Sequence, residues 1–571
     1  MKAKLLFRAS SPSLRTSREQ EYASVTQVDS VFTKFHQGFY EMPVSMSSGH
    51  ERPYDGHADV DLARRGYAAE LPRHLSMMSI FGLSFAIIAV PFGLSTTLYI
   101  PLINGQCVTI IWGWFIMSII STCIAASLAE ICAVFPTAGG VYYWSALLSS
   151  ESWAPLASWI TGWLYLVGNL MSTCAITFGG AQLILSAPAL FRDDWLATPW
   201  QTVLTFWAIL LVCLLINIFG VKLLDKLNQA CIYWTGATVF AVLIALLAMC
   251  KNKKSAEFVF THFDSSQSGW PSGWSFCIGL LQATFTLTGY GMVAVMCEEV
   301  QCPEREVPRA MVYSVVASGI TGLVYLIPIL FVLPDIQTLL TVASGQPIGI
   351  LFRDATGSKA AGLALLILVI GVMFFAGVGA LTTASRCAWA LARDKAVPGY
   401  QLWRKVDDRV KVPLYALLLS VGVIGVMGLI YLGSSAAFNA FTGATTICLS
   451  ACFVAPVLIS LIQRRQHLEH SLYPLGRFGY LFNIISVAWV AFAIVLFCMP
   501  NSLPTTATTM NYTSVVFCGF GAISVIYYYV HGHKVFTGPP TRDVVVIDAR
   551  ETDAEDVGPQ SIKVASRGSM K

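Results

Sequence analysis

Twelve long apolar segments divide this chain of 571 residues. An α-helix needs about 20 apolar residues to cross the hydrocarbon core of a bilayer, and each segment reaches that length. Only 12% of the residues are charged, about half the share found in soluble domains. The chain is therefore predicted to be an all-α polytopic membrane protein with twelve transmembrane helices. The predicted segments lie near residues 76–98, 106–131, 153–186, 200–220, 228–250, 273–297, 309–333, 360–391, 413–432, 437–461, 480–499 and 510–530.

The predicted helices occupy residues 75–530, between two polar tails. Residues 1–74 contain few apolar clusters, which predicts a mostly disordered N-terminal tail. Residues 531–571 form a second polar tail. With the N-terminus inside, the inward loops carry thirteen lysines and arginines and the outward loops carry six. Because basic loops favour the cytoplasmic side, and twelve crossings return the chain to the side where it started, both tails are predicted to be cytoplasmic.

The sixth segment is interrupted near its middle. Gly289 and Gly291 lie two positions apart, and glycine inside a helix costs about 1 kcal/mol relative to alanine. Three threonines precede the glycines, and Glu298 and Glu299 follow where the apolar run ends. Within a membrane, unwound backbone occurs only where protein covers it or where it lines a cavity. The segment is therefore a predicted binding site, with close helix approach through the glycines as the alternative.

The first segment is interrupted in the same way. Pro91 and Gly93 lie at its centre, and proline both removes a backbone donor and clashes with the preceding turn. Two broken segments in corresponding positions of two halves are the best sequence sign of a secondary transporter built from repeats. The two segments together therefore favour a transport site over simple helix packing.

Several motifs together resemble those of one superfamily of membrane transporters. Ser127–Trp144 follows the second segment and contains Glu130, Pro136 and the pair Gly139-Gly140. The other motifs are Asp61–Arg73, Trp112–Trp114, Thr161–Trp163, Glu298–Ala310 and Ser385–Pro398. Through these motifs the chain resembles the amino acid–polyamine–organocation superfamily, in the form carried by the fungal amino-acid/choline transporter family, which includes γ-aminobutyrate and choline permeases.

The resemblance implies the leucine-transporter fold, with one five-helix repeat at about 76–250, an inverted second repeat at about 273–461 and two extra helices at about 480–530. It also implies a substrate site between the two broken segments, and coupling that is usually to protons. Half-helix N–H groups there would hold a carboxylate, freed carbonyls would hold an ammonium, and the ring of Phe92 or Tyr290 would stack on a cation. The predicted substrate-binding residues are Ile88, Ala89, Val90, Pro91, Phe92, Gly93, Asn169, Thr286, Thr288, Gly289, Tyr290 and Gly291.

Two departures from the family's pattern concern the site itself. Gly291-Met292 stands where many relatives have a polar or acidic residue, and Ala89-Val90-Pro91 is more apolar than the Asn, Ser or Trp types common there. These departures leave the assignment as a carrier intact, but they do not allow a substrate to be carried over from the family.

Charged and hydroxyl groups near the segment ends are predicted to take part in coupling or gating. Glu130 is either a proton carrier within the membrane or a structural acceptor that fixes the loop after it. Glu298 and Glu299 lie close in sequence to Arg305 and Arg309, which predicts an inner gate made of ion pairs, with a solvated charge cluster as the alternative. The hydroxyl groups of Thr382 and Thr383 are predicted either to bind a cation or to form hydrogen bonds within their own helix.

Several functional classes are not favoured. No nucleotide-binding loop of the Gly-x-x-x-x-Gly-Lys-Ser/Thr kind occurs, so transport is predicted to be driven by an ion gradient. The 15 cysteines are scattered, mostly singly, in apolar segments, which predicts small buried side chains rather than disulfides or a metal site. A formal net charge of +4 gives no sign of nucleic-acid binding. Neither a cofactor nor enzyme activity is predicted, because no nucleophile–base constellation is visible.

The leading hypothesis is a secondary active transporter, expected to be a proton symporter, of a small amine-bearing solute such as an amino acid, γ-aminobutyrate, choline or a polyamine. An exporter of a specialised metabolite is a second hypothesis, because these motifs do not encode the direction of flux. A transporter-derived nutrient sensor is a third, and it would need a large structured tail. The predicted location is the plasma membrane, with the vacuolar membrane as the alternative. The predicted partners are the solute, the coupling ion and membrane lipid, and the sequence specifies no oligomeric state.

Overall fold

A computed structural model provides the structure of the protein. It describes residues 58–540 apart from 60–61, 193–194, 341, 343–344, 408, 410, 434–436, 470 and 507–509. Residues 1–57 of the predicted N-terminal tail, and the predicted C-terminal tail from residue 541 onward, lie outside the described residues.

Twelve helices in the described part of the chain are long and apolar enough to cross a membrane. This confirms the predicted all-α class and the predicted number of spans. In chain order, spans 1 to 12 are Met77–Ile103, Gln106–Val134, Ala154–Leu190, Pro199–Phe219, Leu223–Met249, Ser272–Glu299, Pro303–Phe331, Lys359–Arg393, Leu414–Leu432, Phe438–Ile462, Phe478–Leu496 and Thr513–Val535. We call the end of the bundle at which span 1 begins the N-terminal face, and the opposite end the distal face.

Spans 1 and 6 are interrupted inside the bundle. The pieces of span 1 are Met77–Ile88, Val90–Thr96 and Tyr99–Ile103. The pieces of span 6 are Ser272–Gly279, Leu281–Leu287 and the 3₁₀ helix Thr288–Glu299. Span 3 ends in the 3₁₀ turn Ala187–Leu190, and span 5 lies within the helix Val221–Met249. Span 9 consists of the helix Leu414–Met427 followed by the 3₁₀ turn Gly428–Leu432. Span 10 lies in the helix Ala437–Ile462, and span 12 joins Thr513–Tyr527, the π-helical turn Tyr528–Gly532 and His533–Val535. The helices between spans are Gly140–Leu147, Ala256–Thr261, Ile336–Leu340, Ile348–Thr356, Tyr400–Trp403 and Gln466–Leu468.

The two interrupted spans lie at the centre of the bundle. In its most apolar stretch span 6 is completely buried and span 1 is 83% buried, whereas span 12 is 11% buried. Outer spans expose large apolar side chains such as those of Phe240, Ile244 and Val426, a surface that suits lipid rather than water. Spans 1 and 6 are the first spans of the two predicted repeats. The inverted symmetry and the exact domain boundaries stay predictions.

Small and hydroxyl residues join the spans inside the bundle. Gly322 of span 7 leaves room for the indole of Trp114 in span 2, and Trp114 Nε1 donates to the carbonyl oxygen of Gly319 at 2.8 Å. The hydroxyl groups of Ser84 in span 1 and Ser314 in span 7 share a hydrogen bond of 2.7 Å. Lipid gives helices no hydrophobic drive toward one another, so close packing and interhelical hydrogen bonds stabilise the bundle.

Candidate functional site

Span 1 breaks at Ala89. This residue has φ +47°, in the left-handed region that L-residues with a Cβ rarely adopt. Pro91 lies in the first turn of the next piece, Val90–Thr96, where a missing N–H is tolerated. In an unbroken helix continuing from Ile88, the proline ring would clash with the carbonyl group of Ile87. Pro91 therefore fixes the position of the break at Ala89, two residues before the proline.

Span 6 changes from an α-helix to a 3₁₀ helix at Thr288. The 3₁₀ piece, Thr288–Glu299, is 12 residues long and buried throughout. Such runs rarely exceed 4 residues, and this one covers roughly 24 Å where an α-helix would cover roughly 18 Å. Tyr165 of span 3 stabilises the piece, because its hydroxyl group lies 3.0 Å from the carbonyl oxygen of Gly291 and 3.2 Å from that of Met292.

Two glycines let the interrupted spans touch. A Cβ atom on Gly93 would lie 2.7 Å from the hydroxyl oxygen of Thr286, and one on Gly289 would lie 2.8 Å from Ile87 Cγ2. Contacts this short are not tolerated in a close-packed interior. The glycines therefore bring the two breaks together, so the close approach raised as an alternative occurs at the same place as the predicted site.

A small cavity of about 20 Å³ lies where the two breaks meet. It is large enough for a water molecule, but a site that encloses a small organic molecule needs roughly 300 Å³ or more. The structure is therefore a closed state, and its walls must separate before a solute can enter. The cavity is lined by Ile87, Ile88, Ala89, Phe92, Gly93, Ser172, Ile176, Phe285, Thr286, Thr288, Gly289, Thr445 and Leu449.

Three threonines in this wall have only acceptor capacity left. Thr286, Thr288 and Thr445 each donate the hydroxyl proton to the carbonyl oxygen four residues earlier in the same span. A hydroxyl group has one proton and two lone pairs. The oxygen atoms can therefore still accept a hydrogen bond from a solute, but they cannot donate one.

Buried aromatic side chains lie on the distal side of the cavity. Phe92 forms part of the cavity wall, and beyond it lies a buried group of rings. The centroid of the Phe178 ring is 6.0 Å from that of Phe441 and 6.5 Å from that of Phe438. Phe178 lies further along span 3 than Ser172 of the cavity wall, hence nearer the distal face. These rings therefore lie between spans 3 and 10 on the distal side of the cavity.

Two ion pairs join spans 6 and 8 at the N-terminal face, one buried at both partners and one whose arginine is partly exposed. Arg386 Nε lies 2.9 Å from a carboxylate oxygen of Glu299, and these two side chains are 0% and 3% exposed. Both terminal nitrogens of Arg393 donate hydrogen bonds to the carboxylate of Glu298, at 2.9 and 3.0 Å. Removing one partner of such a pair leaves an uncompensated buried charge, at a cost of roughly 3–5 kcal/mol. The pairs therefore fix the end of the 3₁₀ piece against span 8.

The prediction that Arg305 and Arg309 pair with these two carboxylates is wrong. Closeness in sequence pointed to Arg305 and Arg309, but both side chains are exposed, and the arginines that pair come from span 8 instead. A carboxylate that is buried by helix packing needs a partner that is buried with it. Gating by the two glutamates stays a prediction, now with different partners.

The segment before span 1 covers this gate. Arg73 Nη1 donates to the carbonyl oxygens of Cys297 and Val300, at 3.2 and 3.0 Å. The backbone N–H of Leu75 donates to the carbonyl oxygen of Glu299 at 3.0 Å. These bonds satisfy carbonyl groups that would otherwise be buried without a partner. The last part of the predicted disordered tail is therefore ordered on the bundle.

A half-buried carboxylate joins three elements beside the gate. Asp394 directly follows span 8 and accepts hydrogen bonds from Tyr142 at 2.8 Å and from Tyr67 at 3.0 Å. Tyr67 belongs to the segment before span 1, and the guanidinium carbon of Arg393 lies 3.9 Å from the centre of its ring. Burial raises the pKa of the Asp394 carboxyl above its ordinary value, although the charge of Arg393 opposes the shift. Asp394 lies in a motif noted in the sequence, but its role was not predicted.

A comparison with known families supports the assignment as a carrier. A family model described as amino acid permease matches residues 75–521. The chain belongs to the amino acid permease family. The match covers spans 1 to 11 and the start of span 12 of the permease.

Three relatives illustrate what proteins similar to this permease transport. A polyamine transporter of Saccharomyces cerevisiae is 34% identical over 84% of the permease and 79% of its own length. An amino-acid permease of Arabidopsis thaliana is 34% identical over 84% of the permease and 96% of its own length. A choline transporter of S. cerevisiae is 30% identical, with coverage of 82% and 83%. The three names share an amine-bearing solute and differ in its net charge.

The cavity of the permease contains part of the predicted substrate site. The predicted residues in its wall are Ile88, Ala89, Phe92, Gly93, Thr286, Thr288 and Gly289. The predicted residues that are buried outside the wall are Val90, Pro91, Asn169, Tyr290 and Gly291. The Tyr290 ring packs 5.6 Å from that of Phe453, and Asn169 Nδ2 donates to the carbonyl oxygen of Tyr165 at 2.8 Å. Solute binding by any of these residues stays a prediction.

Spans 3 and 10 contribute wall residues that sequence patterns did not reveal. Ser172 and Ile176 come from span 3, and Thr445 and Leu449 come from span 10. Ser172 lies three residues after Asn169, so helical spacing along span 3 was an available signal. The span 10 residues lie in an ordinary apolar segment, and only tertiary packing brings them to the breaks.

Glu130 of the permease is held by the loop between spans 10 and 11. One carboxylate oxygen lies 2.5 Å from Arg465 Nη2, and the other accepts from the backbone N–H of Leu475 at 3.0 Å. The hydroxyl group of Ser471 donates to the carbonyl oxygen of Glu130 at 3.0 Å. These contacts match the structural alternative, although the loop they fix follows span 10 rather than span 2. A proton-carrying role for Glu130 stays a prediction.

Thr382 and Thr383 bond to neighbours inside the bundle. The hydroxyl group of Thr382 lies 2.6 Å from Asn217 Oδ1 and 2.8 Å from the carbonyl oxygen of Val378. The hydroxyl group of Thr383 donates to the carbonyl oxygen of Ala380 at 3.0 Å. This is the pattern of the helix-bonded alternative, with Asn217 adding a link to span 4. Cation binding by these threonines stays a prediction.

Proposed function

We propose that the permease is a secondary active transporter that moves a small amine-bearing solute across the membrane by alternating access. The observation that carries this proposal is the cavity at which the interruptions of spans 1 and 6 meet. Backbone N–H and carbonyl groups released by such interruptions can hold a polar solute in the middle of a membrane. Relatives named as transporters of amino acids, polyamines and choline support the solute class.

The transport cycle requires that the two closures open in turn. At the distal face, the Phe178 ring has to part from the rings of span 10. At the N-terminal face, the pairs Glu298–Arg393 and Glu299–Arg386 have to separate, and the segment before span 1 has to lift. Spans 1 and 6 then move as a unit against spans 3 and 8, around a site that stays between them.

Protons are the proposed coupling ion. The N-terminal face holds three carboxylates whose charge is balanced by arginine in the closed state: Glu130, Glu298 and Glu299. A proton on Glu298 or Glu299 removes the charge that holds its arginine, and this links proton binding to the opening of the gate. The tests of this step are the pH dependence of uptake and its sensitivity to a protonophore.

The proposed orientation places the N-terminal face in the cytoplasm, and the proposed location is the plasma membrane. The support is the distribution of basic residues in the loops, thirteen against six, since basic loops stay on the cytoplasmic side. With this orientation the ion pairs form the inner gate and the aromatic rings form the outer gate.

Uptake of radiolabelled solutes by permease-deficient cells tests the proposed function. The panel holds choline, γ-aminobutyrate, neutral and basic amino acids and a polyamine, at two external pH values, with and without a protonophore. We expect saturable uptake of at least one solute, faster at the lower pH and abolished by the protonophore. Gly289→Leu, whose side chain would collide with Ile87, is the transport-dead control. Absence of uptake despite protein at the cell surface would contradict import and favour export.

A further inference from the structure

The 3₁₀ piece of span 6, Thr288–Glu299, is held at both of its ends by groups from other elements. Near its start, the hydroxyl group of Tyr165 lies 3.0 and 3.2 Å from the carbonyl oxygens of Gly291 and Met292. At its end, both glutamates are paired with arginines of span 8, and the segment before span 1 donates to carbonyl oxygens there. Contacts from outside the piece therefore fix both of its ends while the gate is closed.

The residues of this piece favour an α-helix. The hydrogen bonds of a 3₁₀ helix have poorer geometry than those of an α-helix, so 3₁₀ runs are usually short, and a long one inside a helix often marks a functional hinge. Of the eight residues from Met292 to Glu299, five are methionine, alanine or glutamate, which are good α-helix formers. Release of the contacts at its end therefore favours winding of the piece into an α-helix.

Winding changes both the length and the rotation of the piece. Each residue advances by about 2.0 Å and 120° in a 3₁₀ helix, but by about 1.5 Å and 100° in an α-helix. Over the ten steps from Thr288 to Glu298, winding draws the glutamate back along the axis by roughly 5 Å and turns it by roughly 200°. The carboxylate of Glu298 then lies on the other side of the helix from Arg393, and the ion pair is broken.

We propose that the gate at the N-terminal face opens when Thr288–Glu299 changes from a 3₁₀ helix to an α-helix, and closes by the reverse change. The inference rests on the proposed transport function and specifies how one of its two closures opens. A single change of helix type releases Glu298 and Glu299 together, and span 6 becomes shorter by roughly 6 Å at this face. Tyr165 is a positioning residue in this step, because its hydroxyl group holds carbonyl oxygens in the first part of the piece.

Pairs of cysteines at two spacings distinguish the two helix types. In an α-helix, residues three apart and residues four apart are both neighbours on the surface. In a 3₁₀ helix, residues three apart eclipse one another, whereas residues four apart are separated by about 8 Å along the axis and by a third of a turn. A bifunctional thiol reagent that spans one helical turn therefore bridges a three-apart pair in either form, but a four-apart pair only in the α-helical form.

The test uses the full-length permease in proteoliposomes, treated with dibromobimane. Both variants carry Cys132→Ser, because the native thiol of Cys132 lies 3.9 Å from that of Cys297. The four-apart variant adds Val293→Cys, which pairs with the native Cys297. The matched three-apart variant adds Val293→Cys, Met296→Cys and Cys297→Ser. Mass spectrometry of the peptide that contains both positions gives the rate of bridging, and we expect the two rates to agree within about threefold.

The other outcomes of this test would contradict the inference. Bridging of the three-apart pair alone would show that the piece opens as a 3₁₀ helix, and it would leave transport intact. Bridging of neither pair would show that this end of span 6 does not open to the reagent. Solute uptake by the wild type tests the proposed function separately. If Val293→Cys does not fold, Met292→Cys/Met296→Cys and Met292→Cys/Val295→Cys give the same comparison.

The hydroxyl group of Tyr165 supplies a second test. Tyr165→Phe removes the hydrogen bond near the start of the piece, so we expect the four-apart pair to be bridged about fivefold faster. Tyr325→Phe is the matched control, because Tyr325 is equally buried and its hydroxyl group shares a hydrogen bond with Ser95 of span 1 instead. We expect no change in the bridging rate with the control. An equal increase with both substitutions, or none with Tyr165→Phe, would contradict the positioning role of Tyr165.

Discussion

At the residue scale, Gly291 is a position where a side chain has no room. A Cβ atom there would lie 2.5 Å from two carbons of the Phe453 ring. Gly291→Leu would push the start of the 3₁₀ piece away from span 10 and distort the cavity beside it. We expect uptake to fall below about a tenth of the wild-type rate while the protein still reaches the membrane.

The control for Gly291→Leu is Gly422→Leu on span 9, where a Cβ atom would meet nothing within 4 Å. The double variant Gly291→Leu/Phe453→Ala makes space for the new side chain and should recover part of the uptake. Normal uptake by Gly291→Leu alone would show that span 6 does not need this close contact.

The pair Arg386–Glu299 predicts a stability effect. Arg386→Met leaves a buried carboxylate without its partner, which should destabilise the protein by roughly 3–5 kcal/mol. Arg386→Met/Glu299→Gln removes both charges and should recover most of that loss. The exposed Arg305 is the matched control, and Arg305→Met should change stability by about 0.5 kcal/mol at most. The measurement is thermal unfolding in detergent, and an unchanged melting temperature in Arg386→Met would contradict this account of the gate.

Asp394 predicts a pH effect of defined sign. Its folded-state pKa is raised above the ordinary 3.8, so the folded protein binds a proton more readily than the unfolded chain does. Stability therefore falls as the pH rises from about 4 through the folded-state pKa. Asp394→Asn removes this titration, and its amide oxygen still accepts from Tyr67 and Tyr142. We expect the wild-type melting temperature to fall relative to the variant across that window, and a difference independent of pH would contradict the assignment.

At the element scale, the two breaks arise in different ways. In span 1 the proline dictates the position of the break, and a single left-handed residue, Ala89, makes the turn. In span 6 the chain changes from an α-helix to a 3₁₀ helix over Thr288–Glu299. The glycines were the visible signal in span 6. The extent of the 3₁₀ piece depends on contacts from Tyr165 and Arg73, which come from elsewhere in the chain.

The 3₁₀ piece of span 6 predicts a cross-link that stops transport. Cys297 Sγ lies 3.9 Å from Cys132 Sγ at the end of span 2, and both side chains are buried. A disulfide, with its S–S distance of about 2.05 Å, would tie the moving end of span 6 to span 2. We expect copper phenanthroline to inhibit uptake and dithiothreitol to restore it. Cys132→Ser should abolish the inhibition, and full uptake by cross-linked protein would show that these ends do not separate.

At the scale of the whole molecule, each span takes the chain to the other side of the membrane, so alternate loops share a side. Lys253 lies in the loop between spans 5 and 6 at the distal face, and Lys405 lies between spans 8 and 9 at the N-terminal face. Both are exposed. We expect an epitope inserted after Lys253 to be detected on intact cells, and one after Lys405 only after permeabilisation. The reverse result would contradict the proposed orientation.

The architecture was largely predictable, because the energy terms behind it are local. A run of about 20 apolar residues is helical in lipid, since every backbone group must bond within the run. Proline and glycine perturb the helix where they occur, so both interrupted spans could be located. The ordering of the segment before span 1 was missed, because it depends on carbonyl groups freed at the far end of span 6.

The sequence by itself determined the twelve spans and the two interruptions, since both follow from residue type and spacing along the chain, and its motifs indicated the family by resemblance. Tertiary structure alone decided which charges meet. Arg386 and Arg393 were separated from the glutamates by two spans of chain, and the nearer Arg305 and Arg309 turned outward. It also decided which residues line the cavity, because nothing in the sequence around Thr445 and Leu449 indicates that they belong to the wall. Packing in three dimensions determines which groups are buried together, and separation along the chain does not predict that packing.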